Sequence, residues 1–112
     1  MSRKAHGLRA WVLQRISAVY LAAYFLLTAI YLVVRSPGSY EAWRGWLADP
    51  WVNLATGLFI LSLLVHAWVG IRDVVMDYVP HTRLRVSLFA VIGLTLAGCG
   101  IWSLRILFSV AS

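Results

Sequence analysis

Three long, mostly apolar stretches, residues 10–34, 52–75 and 84–108, take up most of this chain. About 20 apolar residues in a helix cross the roughly 30 Å hydrocarbon core of a bilayer. Inside lipid the backbone must satisfy its own hydrogen bonds, so only helices and closed barrels can span. The stretches are continuously apolar, not alternating, which selects helices. The reading is an all-α integral membrane protein with three transmembrane helices, at about 10–35, 52–78 and 84–109. The first stretch is too long for a signal-peptide core and lacks a small-x-small cleavage site at its end, so it reads as a retained span.

The connections agree. Ser36-Pro37-Gly38-Ser39 stops the first helix, because proline cannot continue one. Residues 40–51 place Trp43, Trp46 and Leu47 at helical spacing beside Glu41, Arg44 and Asp49. That pattern suits a short segment lying in the interface. Pro80-His81-Thr82-Arg83 makes the second turn.

Composition says what the chain is not. Of 112 residues 62% are hydrophobic and 12% charged, against about 45–50% and 25% in a soluble domain. This excludes a water-soluble enzyme, a disordered chain and a disulfide scaffold, and three spans leave no room for a soluble catalytic domain. Cys99 stands alone, and no C-x-x-C-H marks a covalently attached haem. The net charge of +6 is spread between the apolar blocks instead of forming a patch, so it reads as membrane topology and not as nucleic-acid binding. Arg3, Lys4, Arg9 and Arg15, with Arg72, Arg83 and Arg85 at the second turn, outnumber Arg35, Arg44 and Arg105. The N-terminus and the Pro80 turn therefore face the cytoplasm, or a mitochondrial matrix.

Ionisable residues within spans are costly, so each is a candidate for function. His66 lies near mid-bilayer in the second span. At 100° per residue, Ser62, Gly70, Asp73 and Asp77 fall within roughly 40° of His66, with Ala55 and Phe59 continuing the stripe outward. A glycine one turn from a histidine leaves room for a flat, bulky ligand. Haem is the natural choice, since imidazole is a preferred axial ligand. One histidine at this depth leaves the second axial ligand to another chain. In the alternative, His66 hydrogen-bonds a neighbouring helix and Gly70 allows close packing.

Asp77 and Tyr78 lie about 16 Å of helical rise below His66. A carboxylate and a phenol at the water boundary can relay protons to a lipid-soluble substrate. They also fit a plain solvated helix end, with Tyr78 as an anchor and Asp73 and Asp77 paired to Arg83 or Arg85. Arg15 can snorkel to the interface or pair with an anionic group such as a haem propionate. Ser17, Ala18, Ala22 and Ala23 give the first helix a small face for packing, as do Gly93, Gly98 and Gly100 in the third. Trp11, Trp68 and Trp102 read as belt or packing residues, and His6 and His81 as solvated boundary residues.

The segment His66-Ala67-Trp68-Val69-Gly70-Ile71-Arg72-Asp73-Val74-Val75-Met76-Asp77-Tyr78-Val79 closely resembles the second helix of the smaller hydrophobic anchor subunits of succinate dehydrogenase, respiratory complex II, of cytochrome b556 type. The family pattern is a histidine, a glycine four residues on, and an Asp-Tyr pair eleven and twelve on. Arg15-Ile16-Ser17-Ala18 resembles the family's arginine-small motif, and the likeness covers nearly the whole chain. In the larger anchor subunit the place of Asp73 usually holds a second histidine, so the smaller subunit is the match.

The resemblance implies a place in a multi-subunit helix bundle. His66 would be an axial ligand of haem b, the other coming from the larger cytochrome b anchor subunit, with Gly70 beside the ring and Arg15 at a propionate. Tyr78 would hydrogen-bond a carbonyl of ubiquinone or another quinone, supported by Asp77. The iron–sulfur and flavoprotein subunits would dock on the cytoplasmic face of a bacterial inner membrane, with a mitochondrial one as the lesser expectation. Electrons from succinate would pass to quinone. The other readings are a quinol:fumarate reductase anchor, a small proton-coupled transporter using His66, Asp73 and Asp77, and a structural adaptor. The transporter reading lacks an inverted repeat or a broken helix.

Overall fold

A computed structural model describes residues 3–112, with side chains from Gly7 onward. The side chains of Arg3, Lys4 and His6, which enter the topology and boundary readings above, lie outside the described residues. The order is α1 (Arg3–Val34), α2 (Tyr40–Ala48), α3 (Pro50–Tyr78) and α4 (Thr82–Ala111), with no strand among the described residues. Gly7–Val34 within α1, all of α3 and all of α4 are long and apolar enough to cross a membrane. This is the all-α, three-span class expected from the sequence. Helices of this length rise about 45 Å, close to the 50 Å long dimension of the fold. Their ends therefore extend past the hydrocarbon into the headgroup layers.

Side chains close most of the described helix ends, although none caps the start of α4. The Ser36 hydroxyl donates to the Leu32 carbonyl, 2.7 Å away, as α1 ends. Ser39 caps α2 by accepting from the Ala42 amide at 3.1 Å, the usual work of a serine at that position. Asp49 ends α2 and also caps α3, its Oδ1 accepting from the Trp51 and Val52 amides at 3.0 and 3.2 Å. Pro50, at the first position of α3, has no amide hydrogen to leave unsatisfied. Arg85 reaches back to the end of α3, donating to the Val79 carbonyl and, at 3.0 Å, to the Met76 carbonyl. These are backbone groups the helix leaves orphaned, so Arg85 serves as a cap here, and Asp73 takes Arg72 as its ion-pair partner instead.

α3 is the middle of the fold. α1 packs on one side of it and α4 on the other, and among the described residues α1 and α4 do not touch. Toward the end of α1 and the start of α3, two tyrosines pin the two helices together. The Tyr20 hydroxyl donates to the Ala55 carbonyl at 2.8 Å. Thr56 spends its own hydrogen on the Val52 carbonyl, so the Tyr24 hydroxyl donates to Thr56, 2.7 Å away. The Tyr24 ring stacks on Phe59 with centroids 4.4 Å apart. The outward extension of the His66 stripe, Ala55 and Phe59, is thus the α1-facing side of α3.

α2 closes the outer end. Trp46 stacks on Tyr31 of α1 at 5.4 Å, Arg44 donates to the Ser109 carbonyl of α4, and Asn53 bonds both α2 and α4. α4 meets α3 through small residues. Gly93 lies under Trp68, and a Cβ at Gly100 would come within 2.9 Å of the Leu64 side chain. Among the described residues only Ser17, Val69, Val75, Gly100 and Leu107 are buried. In lipid this is no defect, because hydrocarbon tails are as apolar as leucine and helices associate by close packing and hydrogen bonds.

Candidate functional site

The stripe centred on His66 faces α1, and the two helices part toward the start of α1 and the end of α3 to leave a cleft of about 570 Å³. Trp11, Gln14 and Arg15 line it from α1, and His66, Arg72 and Asp73 from α3. The room comes from Gly7, Ala10 and Ala18, which line it with minimal side chains. Residues 7, 10, 11, 14 and 18 share one helical face, so the cleft wall is a single stripe of α1.

His66 Nδ1 is 3.0 Å from Ser17 Oγ, and Ser17, 7% exposed, is the one buried polar residue among those described. Ser17 Oγ also donates to the Gln14 carbonyl at 3.1 Å. A hydroxyl has one hydrogen. With it spent on Gln14, Ser17 accepts from His66, so Nδ1 carries the imidazole proton. The opposite tautomer keeps only one of the two hydrogen bonds. In a buried setting that difference is about 1 kcal/mol. The favoured tautomer leaves an unprotonated Nε2, which makes no hydrogen bond among the described residues.

The charge in the cleft is two guanidiniums, Arg15 and Arg72, against the one carboxylate of Asp73. Arg15 lies over the Trp11 ring, 5.3 Å from its centroid, a cation–π contact that steadies the guanidinium. Arg72 and Asp73 are 3.6 Å apart and half exposed, so their pairing is weak and leaves Arg72 free for a better anion. The cleft therefore combines an available imidazole nitrogen with net positive charge, which suits a ligand with a metal centre and an anionic edge. Among the described residues no cluster of three or more His, Cys, Asp or Glu side chains is present to hold a bare ion.

The structure brings His66 and Arg15 together in this cleft. Gly70 does not line it. The space above Gly70 holds the Gln14 carboxamide, whose Nε2 would lie 3.3 Å from a Cβ built there, so the glycine admits that side chain. Gln14 Oε1 is shut off from solvent with no partner, an unmet acceptor in the cleft wall. Asp77 and Tyr78 sit outside the cleft at the end of α3. Both are exposed, Tyr78 by 80%.

Sequence reasoning passed over Gln14, Ser17 and Arg72 as parts of this site, treating Ser17 as a packing residue. The available signal was the α1 stripe Gly7, Ala10, Gln14, Ala18, in which one amide interrupts a run of small residues.

Two comparisons with known proteins bear on this arrangement. Residues 1–102 match the family described as succinate dehydrogenase/fumarate reductase transmembrane subunit. The chain is similar to the succinate dehydrogenase hydrophobic membrane anchor subunit of Coxiella burnetii, with 31% identity over 102 residues, covering 91% of this chain and 89% of the relative. The match takes in α1, the whole of α3 and most of α4, and with them every residue of the cleft. The chain belongs to the succinate dehydrogenase/fumarate reductase transmembrane subunit family.

Proposed function

We propose that this chain anchors a succinate:quinone oxidoreductase, holds haem b together with a larger cytochrome b anchor subunit, and helps bind the quinone. The observation that carries the haem reading is the His66 imidazole, protonated at Nδ1 by its contact with Ser17 and lining a cleft with two arginines. Nε2 would coordinate the iron, and Arg15 and Arg72 would meet the propionates, for which guanidinium geometry is suited. When bound, haem supplies one-electron carriage at a potential tuned by its ligands. The second ligand comes from the larger anchor subunit.

Tyr78 and Asp77 serve the quinone. Succinate oxidation on the flavoprotein and iron–sulfur subunits yields two electrons and two protons, and reduction of a quinone consumes two of each. The Tyr78 hydroxyl donates a hydrogen bond to a quinone carbonyl. Asp77, exposed beside it, passes protons from the cytoplasmic side. Their exposure at the end of α3 suits residues completed by neighbouring subunits. The charge bias puts this end in the cytoplasm of a bacterial cell, which agrees with the bacterial relative. The family description also covers fumarate reductase, so quinol oxidation coupled to fumarate reduction is the second reading, distinguished by the direction of turnover.

The test is a complex isolated through a tag on this chain. Flavoprotein, iron–sulfur and larger anchor subunits co-purify, and dithionite reduction gives b-type Soret and α bands. A complex lacking those bands overturns the haem reading. For the quinone site, Tyr78→Phe lowers succinate:quinone reductase activity roughly tenfold, the worth of about one hydrogen bond. Succinate oxidation with an artificial acceptor stays at its normal rate. Equal quinone reductase activity in variant and wild type removes Tyr78 from the site.

A further inference from the structure

Ser17 carries more than packing. It lies 49 positions from His66 in sequence yet 3.0 Å away in space, and is itself buried while the imidazole is partly so. Its back-bond to the Gln14 carbonyl fixes the direction of its hydrogen, and that direction makes it an acceptor toward the imidazole. Gln14 in turn is held in place by packing over Gly70. α1 thereby presents His66 with an oriented acceptor, in the way that metal-bound histidines generally give their second N–H to a fixed partner.

We propose that Ser17 is the positioning residue of the haem ligand. It sets the Nδ1-protonated tautomer of His66, fixes the plane of the ring, and raises the donor strength of Nε2. This rests on the reading of His66 as an iron ligand. A hydrogen bond from Nδ1 to an oxygen leaves more electron density on the imidazole, which favours ferric over ferrous iron. Removing the acceptor raises the haem midpoint potential. It also frees the ring to turn, which alters the g-values of the ferric haem. Loss of such outer-shell partners costs about 10- to 100-fold in metal affinity. A tenfold loss borne by the ferric form alone reads as a rise of about 59 mV in a one-electron titration.

The experiment uses the assembled complex and four forms of this chain: wild type, Ser17→Ala, Ser17→Val and Ser17→Thr. Valine and threonine have the same shape, and only threonine keeps the hydroxyl and its back-bond. Potentiometric titration of the reduced α band and low-temperature EPR of the oxidised complex are the readouts. The expected result is a raised potential and shifted g-values in the alanine and valine variants, with the threonine variant close to wild type. Haem that keeps its potential and g-values in all three variants, while still depending on His66, overturns the role of Ser17 and leaves the haem reading standing. A threonine variant shifted as far as valine shows an effect of side-chain volume and overturns it equally. Should alanine impair assembly, the threonine–valine pair decides the matter alone. A wild-type complex without haem overturns the parent reading and this one with it.

Discussion

A His66→Ala complex is expected to lose nearly all of its b-type absorbance while still assembling. The reason is local. His66 supplies the imidazole of the cleft, and among the described residues no other histidine, cysteine or methionine lines it. A coordination bond has no neighbour to replace it. The fold need not suffer, because His66 is only partly buried and the Tyr20, Tyr24 and Phe59 contacts hold α1 on α3 independently. Removing the imidazole leaves Ser17 with its bond to Gln14 intact, so no buried hydroxyl is stranded. The difference spectrum per mole of iron–sulfur subunit is the measurement. Alanine also opens a hole of the right chemistry, so free imidazole added to the variant restores part of the α band. Bands of undiminished intensity in His66→Ala would place the ligand elsewhere.

The largest effect on stability is expected at Asn53, at the outer end of the fold. Both hydrogens of its amide nitrogen are used, one on the Leu47 carbonyl of α2 and one on the Leu107 carbonyl of α4, each at 3.1 Å. The Leu47 carbonyl lies in the last turn of α2, where the helix offers no donor of its own. One side chain thus joins three helices. Asn53→Leu removes two hydrogen bonds, a loss of about 2 kcal/mol. Asn53→Asp keeps the shape and replaces the donor with a carboxylate oxygen facing two carbonyls, which raises the cost to roughly 3 kcal/mol or more. Thermal unfolding of the complex in detergent ranks them wild type, leucine, aspartate. A leucine variant as stable as wild type would mean that the amide donors contribute nothing.

How far the sequence could be read depends on which force decides each feature. The three spans were legible because the bilayer imposes one rule on every backbone group, and the apolar runs obey it. α2 was legible from its tryptophan spacing. The His66 stripe was legible because helical geometry fixes which residues share a face. What shared a face with it on the other helix was not. The contact between Ser17 and His66 depends on the rotation and depth of α1 against α3, and these are set by Tyr20, Tyr24 and Gln14, whose partners are distant in sequence. Gly70 shows the same limit, since a missing side chain announces space without saying what fills it, and here the Gln14 carboxamide does. Arg85 was read through its charge, whereas the nearest unmet demand was the bare carbonyls ending α3. Asp77 and Tyr78 lie where the fold offers them no partner within this chain, so their chemistry was legible from residue type and their surroundings were not.

Because the cleft is lined from α1 and α3 among the described residues, the seat of the imidazole is finished by residue 73. During synthesis the first two spans can zip together in the bilayer while the last is still inside the ribosome. The pair that frames the cleft thus exists before α4 is made, and α4 is left free to adapt its surface to whatever lies outside.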